Sequence, residues 1–221
     1  MTFYHLKYCS REQLCIRGYN AEMKKSEQTK AKLVKAVINL INKGKKISVA
    51  SVSKEANTAY GSFYRYFNNL DEIHEAAILN WVLERAEQLD RELSKEKSNL
   101  YKIYYGWYIA IDLYKDVYTA NWLIEHPASI NEAWVQTHPI TFGWLQEAIK
   151  KKEEPGLNNE NLRHFQMSSS YVHWTYQNAL RELIRGRKSI HVYLDLMNSI
   201  NFLNLPRKTH QKYLKKVADS V

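Results

Sequence analysis

Glycine and proline are scarce in this chain, at 7 and 4 of 221 residues. That leaves little material for β-turns and argues for helices. Cysteine is scarcer. Cys9 and Cys15 are the only two, and neither has a His or Cys partner at zinc-ligand spacing. The pattern predicts two reduced thiols in a cytoplasmic protein, not a disulfide framework or a metal site. No run of about 18 apolar residues occurs, so no membrane span is expected. The opening MTFYHLKYCSREQLC lacks the apolar segment of a secretory signal. Catalytic motifs are missing as well: no glycine-rich phosphate loop, no nucleophile elbow, no HExxH. The eight His form no metal pattern. His164 and His173 are about two and a half helical turns apart and point to different faces, and His126 and His138 flank prolines. Glu153 and Glu154 end a charge run, KKKEE, that reads as a solvated helix end. No catalytic residue, metal ligand or cofactor is expected, and the chain reads as a non-enzyme.

What is present is ordinary for a folded globule: 45% hydrophobic and 25% charged residues. At this length folding buries roughly 70% of the unfolded surface. The charge is unevenly placed. Residues 1–70 hold 13 Lys and Arg against 4 Asp and Glu, whereas residues 71–221 hold 19 of each. The whole excess of +9 therefore sits in the first third, as in a nucleic-acid-binding module.

The basic block ends in ISVASVSKEANTAYGSFYRYFNNLDEI, residues 47–73. Val49, Val52 and Ala56 share a helical face, with Ser48 as N-cap. Asn57 falls where the chain must turn, and Asn is second only to Gly at a left-handed C′ position. Residues 60–67 then predict a second short helix. Phe63 and Phe67 face inward; Tyr60, Ser62, Tyr64, Arg65 and Tyr66 face outward or flank. Two short helices, a three-residue turn and a polar-aromatic outer face predict a helix-turn-helix. An αα-corner that only packs is the plain alternative.

Residues 29–78 resemble the DNA-binding domain of the TetR (tetracycline repressor) family of transcriptional regulators. The resemblance rests on Ser48-Val49, Val52, Ala56, Gly61-Ser62-Phe63-Tyr64, Tyr66-Phe67 and Asp71-Glu72-Ile73. Three positions depart from the family pattern: Asn57 replaces a usual Gly, Ala59 a frequent Ser, and Leu70 a usual phosphate-reaching Lys. The resemblance implies an all-α chain with a three-helix DNA-binding domain at 26–73 and a larger helical effector-binding and dimerisation domain at 74–206. A basic arm, 1–25, precedes them and a basic tail, 207–221, follows. It implies DNA contacts from Lys45, Lys46, Ser48, Tyr60, Gly61, Ser62, Tyr64, Arg65 and Tyr66. Lys45, Lys46 and Tyr64 would hold phosphates, while Tyr60, Ser62 and Arg65 would face base edges.

Further along, Asn69 with Glu72 resembles a capping box that opens a long helix to about Ser94. Residues 99–126 read as one aromatic helical stretch broken by Pro127. Ser129 with Glu132 predicts a short helix through Trp134, and Pro139 the first turn of another. A long helix is expected over about 160–185 and a last one from Ser189 to near Pro206. Five of the 6 Trp and 15 of the 28 aromatics lie between Tyr101 and Tyr176. Most must be core. Some are expected to line a ligand cavity, and the candidates are Tyr104, Trp107, Tyr108, Trp122, Trp144, His173 and Trp174. Residues 160–204 carry broad apolar faces. The family resemblance makes them a homodimer interface, with Leu180 and Met197 as inward positions.

The expected function is a sequence-specific repressor of a double-stranded DNA operator, released by a small-molecule effector. A DNA-binding regulator whose second domain binds a protein partner stays open beside it. So do a helical enzyme and an adaptor with acidic partners.

Overall fold

The computed structural model describes residues 25–115, 117–168 and 172–221. The expected arm therefore lies outside the described residues, as do both cysteines. Every described element is helical. The first, α1 (Lys25–Asn42), buries Leu33, Val37, Leu40 and Ile41 along one stripe. Gly44 ends it at φ 59°. The Lys45 and Gly44 N–H groups donate back to the Leu40 and Ile41 carbonyls, both at 2.9 Å, in a Schellman closure. Helices α2 (Val49–Glu55) and α3 (Tyr60–Phe63) follow. Together with Phe67, Ile73 and Ala77 they complete a small core over α1.

Helix α4 (Leu70–Glu92) belongs to two cores. Its first half gives Ile73 and Ala77 to the small N-terminal core. Its second half gives Ile78, Val82 and Leu89 to the larger one. Asn69 caps it, accepting the Glu72 N–H at 2.9 Å. The return bond differs from a simple capping box: the Glu72 carboxylate takes the N–H of Asn68 at 2.7 Å. A 3-10 turn, Leu93–Lys95, closes the helix.

The larger core is built by α5 (Asn99–Asp112), α6 (Val117–Glu125), α7 (Pro127–Lys150), α8 (Asn159–Ser168), α9 (Val172–Ile184), α10 (Ser189–Ser199) and α11 (Arg207–Ala218). Four sequence expectations change here. First, residues 127–150 are one helix and not two. Pro127 occupies the first turn, where its missing N–H costs nothing. Pro139 sits inside the helix, where it removes one bond to the Val135 carbonyl. Val135 is 57% exposed, so water can take that carbonyl. Ser129 caps nothing; its hydroxyl donates to Glu75 of α4 at 3.3 Å.

Second, the expected basic tail, which also reads as a frayed amphipathic helix, is the packed helix α11, which buries His210, Tyr213, Leu214 and Val217. The Tyr104–His210 contact of 2.7 Å ties it to α5, and His210 Nε2 lies 2.8 Å from the Met197 carbonyl of α10. A carbonyl only accepts, so Nε2 carries the proton and Nδ1 accepts from the Tyr104 hydroxyl. Third, Leu180 and Met197 are each 1% exposed within the single chain's core, so neither is available to a twin. Their helical stripes point inward because this chain's own α5, α6 and α11 cover them. The fourth change concerns the acidic pair after α7. The Glu153 carboxylate accepts the N–H groups of Asn99 at 2.9 Å and Leu100 at 3.1 Å, capping α5. Glu154 accepts from the Tyr213 hydroxyl at 2.9 Å and from Lys212. The expected single helix over 160–185 is described as α8 and α9, with 169–171 outside the description.

Candidate functional site

The reading head begins at the Ser48 cap. Its hydroxyl accepts the Ser51 N–H at 3.1 Å while the Ser51 hydroxyl accepts the Ser48 N–H at 2.9 Å. Both orphan donors are thus satisfied reciprocally, and α2 starts at a fixed place. Asn57 adopts φ 52°, as a C′ residue must. Thr58 and Asn57 then donate to the Ser53 and Lys54 carbonyls at 2.9 and 3.1 Å. The Asn-for-Gly departure is therefore absorbed by the same closure that Gly44 makes.

Helix α3 is a single turn, shorter than the expected 60–67. No side chain caps it at Ala59. Tyr64 to Phe67 continue as turns, with Phe67 N–H donating to the Phe63 carbonyl at 3.0 Å. Phe63 and Phe67 anchor the segment at 0% and 2% exposure. Lys30 of α1 lies over the Phe67 ring, 5.5 Å from its centroid. The opposite side is open. Tyr60 and Tyr64 are 55% and 54% exposed, and Gly61 and Arg65 are exposed beside them. The two tyrosine rings meet edge to face at 5.9 Å. The Tyr60 hydroxyl, 3.5 Å away, holds the Tyr64 phenol above its ordinary pKa, so it stays neutral. A Cβ on Gly61 would meet nothing within 4 Å, so this glycine serves no internal packing. Ser62 is half-buried. Tyr66 is half-buried and packs on the small core; its part is to hold α3 in place.

Lys45 and Lys46 are exposed just before α2. Lys43 is committed elsewhere, 2.6 Å from Glu55. That bond pins α2 to the end of α1 and lowers the Glu55 pKa. The nine expected DNA contacts thus fall on one head. Seven are exposed or flank the open face, while Ser48 is the half-buried cap of α2 and Tyr66 is half-buried on the small core.

The aromatic candidates divide. Trp107 and Trp144 line an apolar cavity of about 100 Å³ between α4, α5, α7 and α9. Tyr104 does not: it is fully buried, its hydroxyl taken by His210, and its ring stacks on Tyr213 at 5.3 Å. Tyr108 is half-buried and packs edge-on against Tyr193 at 5.8 Å. Trp122 stacks on His126 at 4.2 Å and lies 5.8 Å from His74 of α4. These three do not line that cavity. The side chains of His173 and Trp174 lie outside the described residues. The cavity also has lining that residue-type reasoning missed: Arg85, Gly106, Tyr114 and Tyr176. Gly106 carried a signal, since a glycine inside an aromatic helix costs stability and needs a reason. Among the described residues no group of three metal-ligating side chains occurs, and no described helix is long and apolar enough to cross a membrane.

No protein-family model and no curated protein matches the chain. Solved structures match by fold. RolR, solved in complex with resorcinol, aligns over 86% of this chain and 94% of its own, with a TM-score of 0.59 and 14% identity. FadR, a transcriptional regulator from Bacillus subtilis solved with stearoyl-CoA, aligns over 86% and 98%, with a TM-score of 0.48 and 16% identity. The likeness to RolR establishes a shared helical fold over most of both chains.

Proposed function

We propose that the chain is a sequence-specific regulator of transcription, a repressor that binds double-stranded DNA and is released by a small molecule. The carrying observation is the open face of α3. Exposed Tyr60 and Gly61 stand on α3 and exposed Tyr64 and Arg65 on the turns that follow it, the segment being anchored from behind by two buried Phe. That head closes a segment holding the chain's entire excess of positive charge. A structural corner has no use for two large exposed aromatics and an open glycine on one turn. In this reading Lys45, Lys46 and Tyr64 contact phosphates, and Gly61 lets the backbone approach closely. Tyr60, Ser62 and Arg65 meet base edges in the major groove.

The cavity supports the effector half of the proposal, because it is a partly open apolar pocket walled in part by α4. Val82, Arg85 and Leu89 face it, and Ile73 of the same helix is packed in the reading head. A ligand that prefers one placement of α4 therefore shifts the head. Among the described residues Arg85 is the only charged one in the lining, and alone it makes no acid–base pair. A fold shared with RolR, whose structure holds resorcinol, is consistent with a ligand there. A second copy completes the proposal, since two heads must span half-sites about 34–36 Å apart. Residues 160–204 would supply that contact through half-buried side chains such as Ile184, Ile190 and Leu194.

Arg65→Ala tests the base-reading role in a competition assay between operator and random duplex. The substitution should cost about 1–3 kcal/mol and relax preference at one base pair per half-site. Unchanged preference would show that Arg65 reads no base.

A further inference from the structure

We propose that the cavity selects a neutral, single-ring phenol, held by the hydroxyls of Tyr114 and Tyr176. The inference deepens the effector reading and rests on it for its consequence at DNA; the binding step itself stands on the cavity. Size comes first. At about 100 Å³ the space is smaller than the roughly 150 Å³ apolar cavity that takes up benzene. A single ring fits such a partly open space. Trp107, Trp144 and Leu89 supply flat and aliphatic surface for it.

Two polar groups distinguish this space from a packing void. Tyr114 and Tyr176 are 4% and 5% exposed and both line it. Their rings meet edge to face at 6.4 Å. Among the described residues neither hydroxyl has a hydrogen-bond partner, and neither oxygen is among the fully buried unpaired ones, so each has accessible space beside it. Burial holds both phenols far above their ordinary pKa, so each remains a neutral donor and acceptor. A ligand hydroxyl offers one donor and two lone pairs, which matches the pair. A bare hydrocarbon ring would leave both unpaired. A carboxylate would need a counter-charge, and the Arg85 guanidinium already meets Glu92 at 3.2 Å.

Gly106 sets the width. A Cβ there would sit 3.5 Å from Trp144 and 3.7 Å from Leu89, which is ordinary contact. Gly106→Ala therefore narrows the cavity without a clash, and alanine favours the helix.

The test is calorimetric titration of the full chain, without DNA, using phenol, toluene and benzoate. Phenol should bind, toluene about tenfold more weakly for want of a hydrogen bond, and benzoate not measurably. Tyr176→Phe should weaken phenol to the toluene level and leave toluene unchanged. Gly106→Ala should keep or raise the melting temperature while weakening phenol and toluene alike. Toluene binding as tightly as phenol, benzoate binding best, or no binding of any of the three would overturn the proposal. So would a stable Gly106→Ala that binds phenol normally. Separate failures stay separable. Phenol binding by a chain that ignores DNA removes the regulator reading alone; operator binding with no phenol site removes this inference alone.

Discussion

Lys46 and Arg65 stand on the same face and should fail differently. Lys46 is an exposed charge ahead of the Ser48 cap. Its contact would be with phosphate, so Lys46→Ala should weaken every DNA sequence alike and reduce the salt slope by about one. Binding measured between low and moderate salt on two unrelated duplexes checks this; a sequence-dependent loss would contradict it. At this scale the caps were legible. Ser48, Asn57 and Asn69 follow from local backbone needs, and each does what its residue type demands. The pocket residues were not. A helical stripe says that Tyr104 and Trp107 both point inward. It does not say that Tyr104 meets His210 while Trp107 meets empty space. That difference is made by α11, which lies more than a hundred residues away in sequence.

Among the elements, α5 depends on a carboxylate from outside itself. Glu153 follows α7, yet it takes the Asn99 and Leu100 N–H groups and the Asn99 side chain at 2.6 Å. Glu153→Ala should cost about 1–3 kcal/mol, because it leaves buried donors unpaired. Chemical denaturation checks it, with Glu153→Gln retaining part of the loss. A melting point unchanged in Glu153→Ala would show that water replaces the cap. The run KKKEE looked solvated because nothing in its own segment reveals the helix end that it meets. Pro139 misled for a related reason. Proline marks helix starts on average, but an exposed carbonyl at Val135 lets one persist inside α7. Helix α1 carries its own signals, an apolar stripe and a glycine stop.

The whole molecule hangs on α4, the one helix shared by both cores. Its joint with α6 and α7 carries buried His74, beside Trp122 and His126. Burial lowers the pKa of His74, of His138 and of His210 below 6.5, and for His210 the bond to Met197 only partly offsets it. A folded pKa below the unfolded one means that the unfolded chain binds more protons. This contribution is complete above about pH 6.5 and shrinks as pH falls from there toward the folded values. The melting temperature should therefore drop between about pH 6.5 and 5, before the carboxylates titrate near 4.5. A flat profile over that range would mean that these three imidazoles take up protons alike in both states. The helical class was legible at this scale because it depends on local pattern. The bundle's internal space was not, since a cavity is what several distant helices fail to fill.

Everything proposed for the molecule depends on the α3 face reading a DNA sequence. Selection of bound duplexes from a random pool, with the full chain, tests it most directly. The expected result is a two-fold symmetric consensus whose half-sites lie about one helical turn apart, with one guanine-containing position lost when Arg65→Ala is used. A bound pool indistinguishable from the starting pool would contradict the claim and leave the positive block as a binder of charge alone.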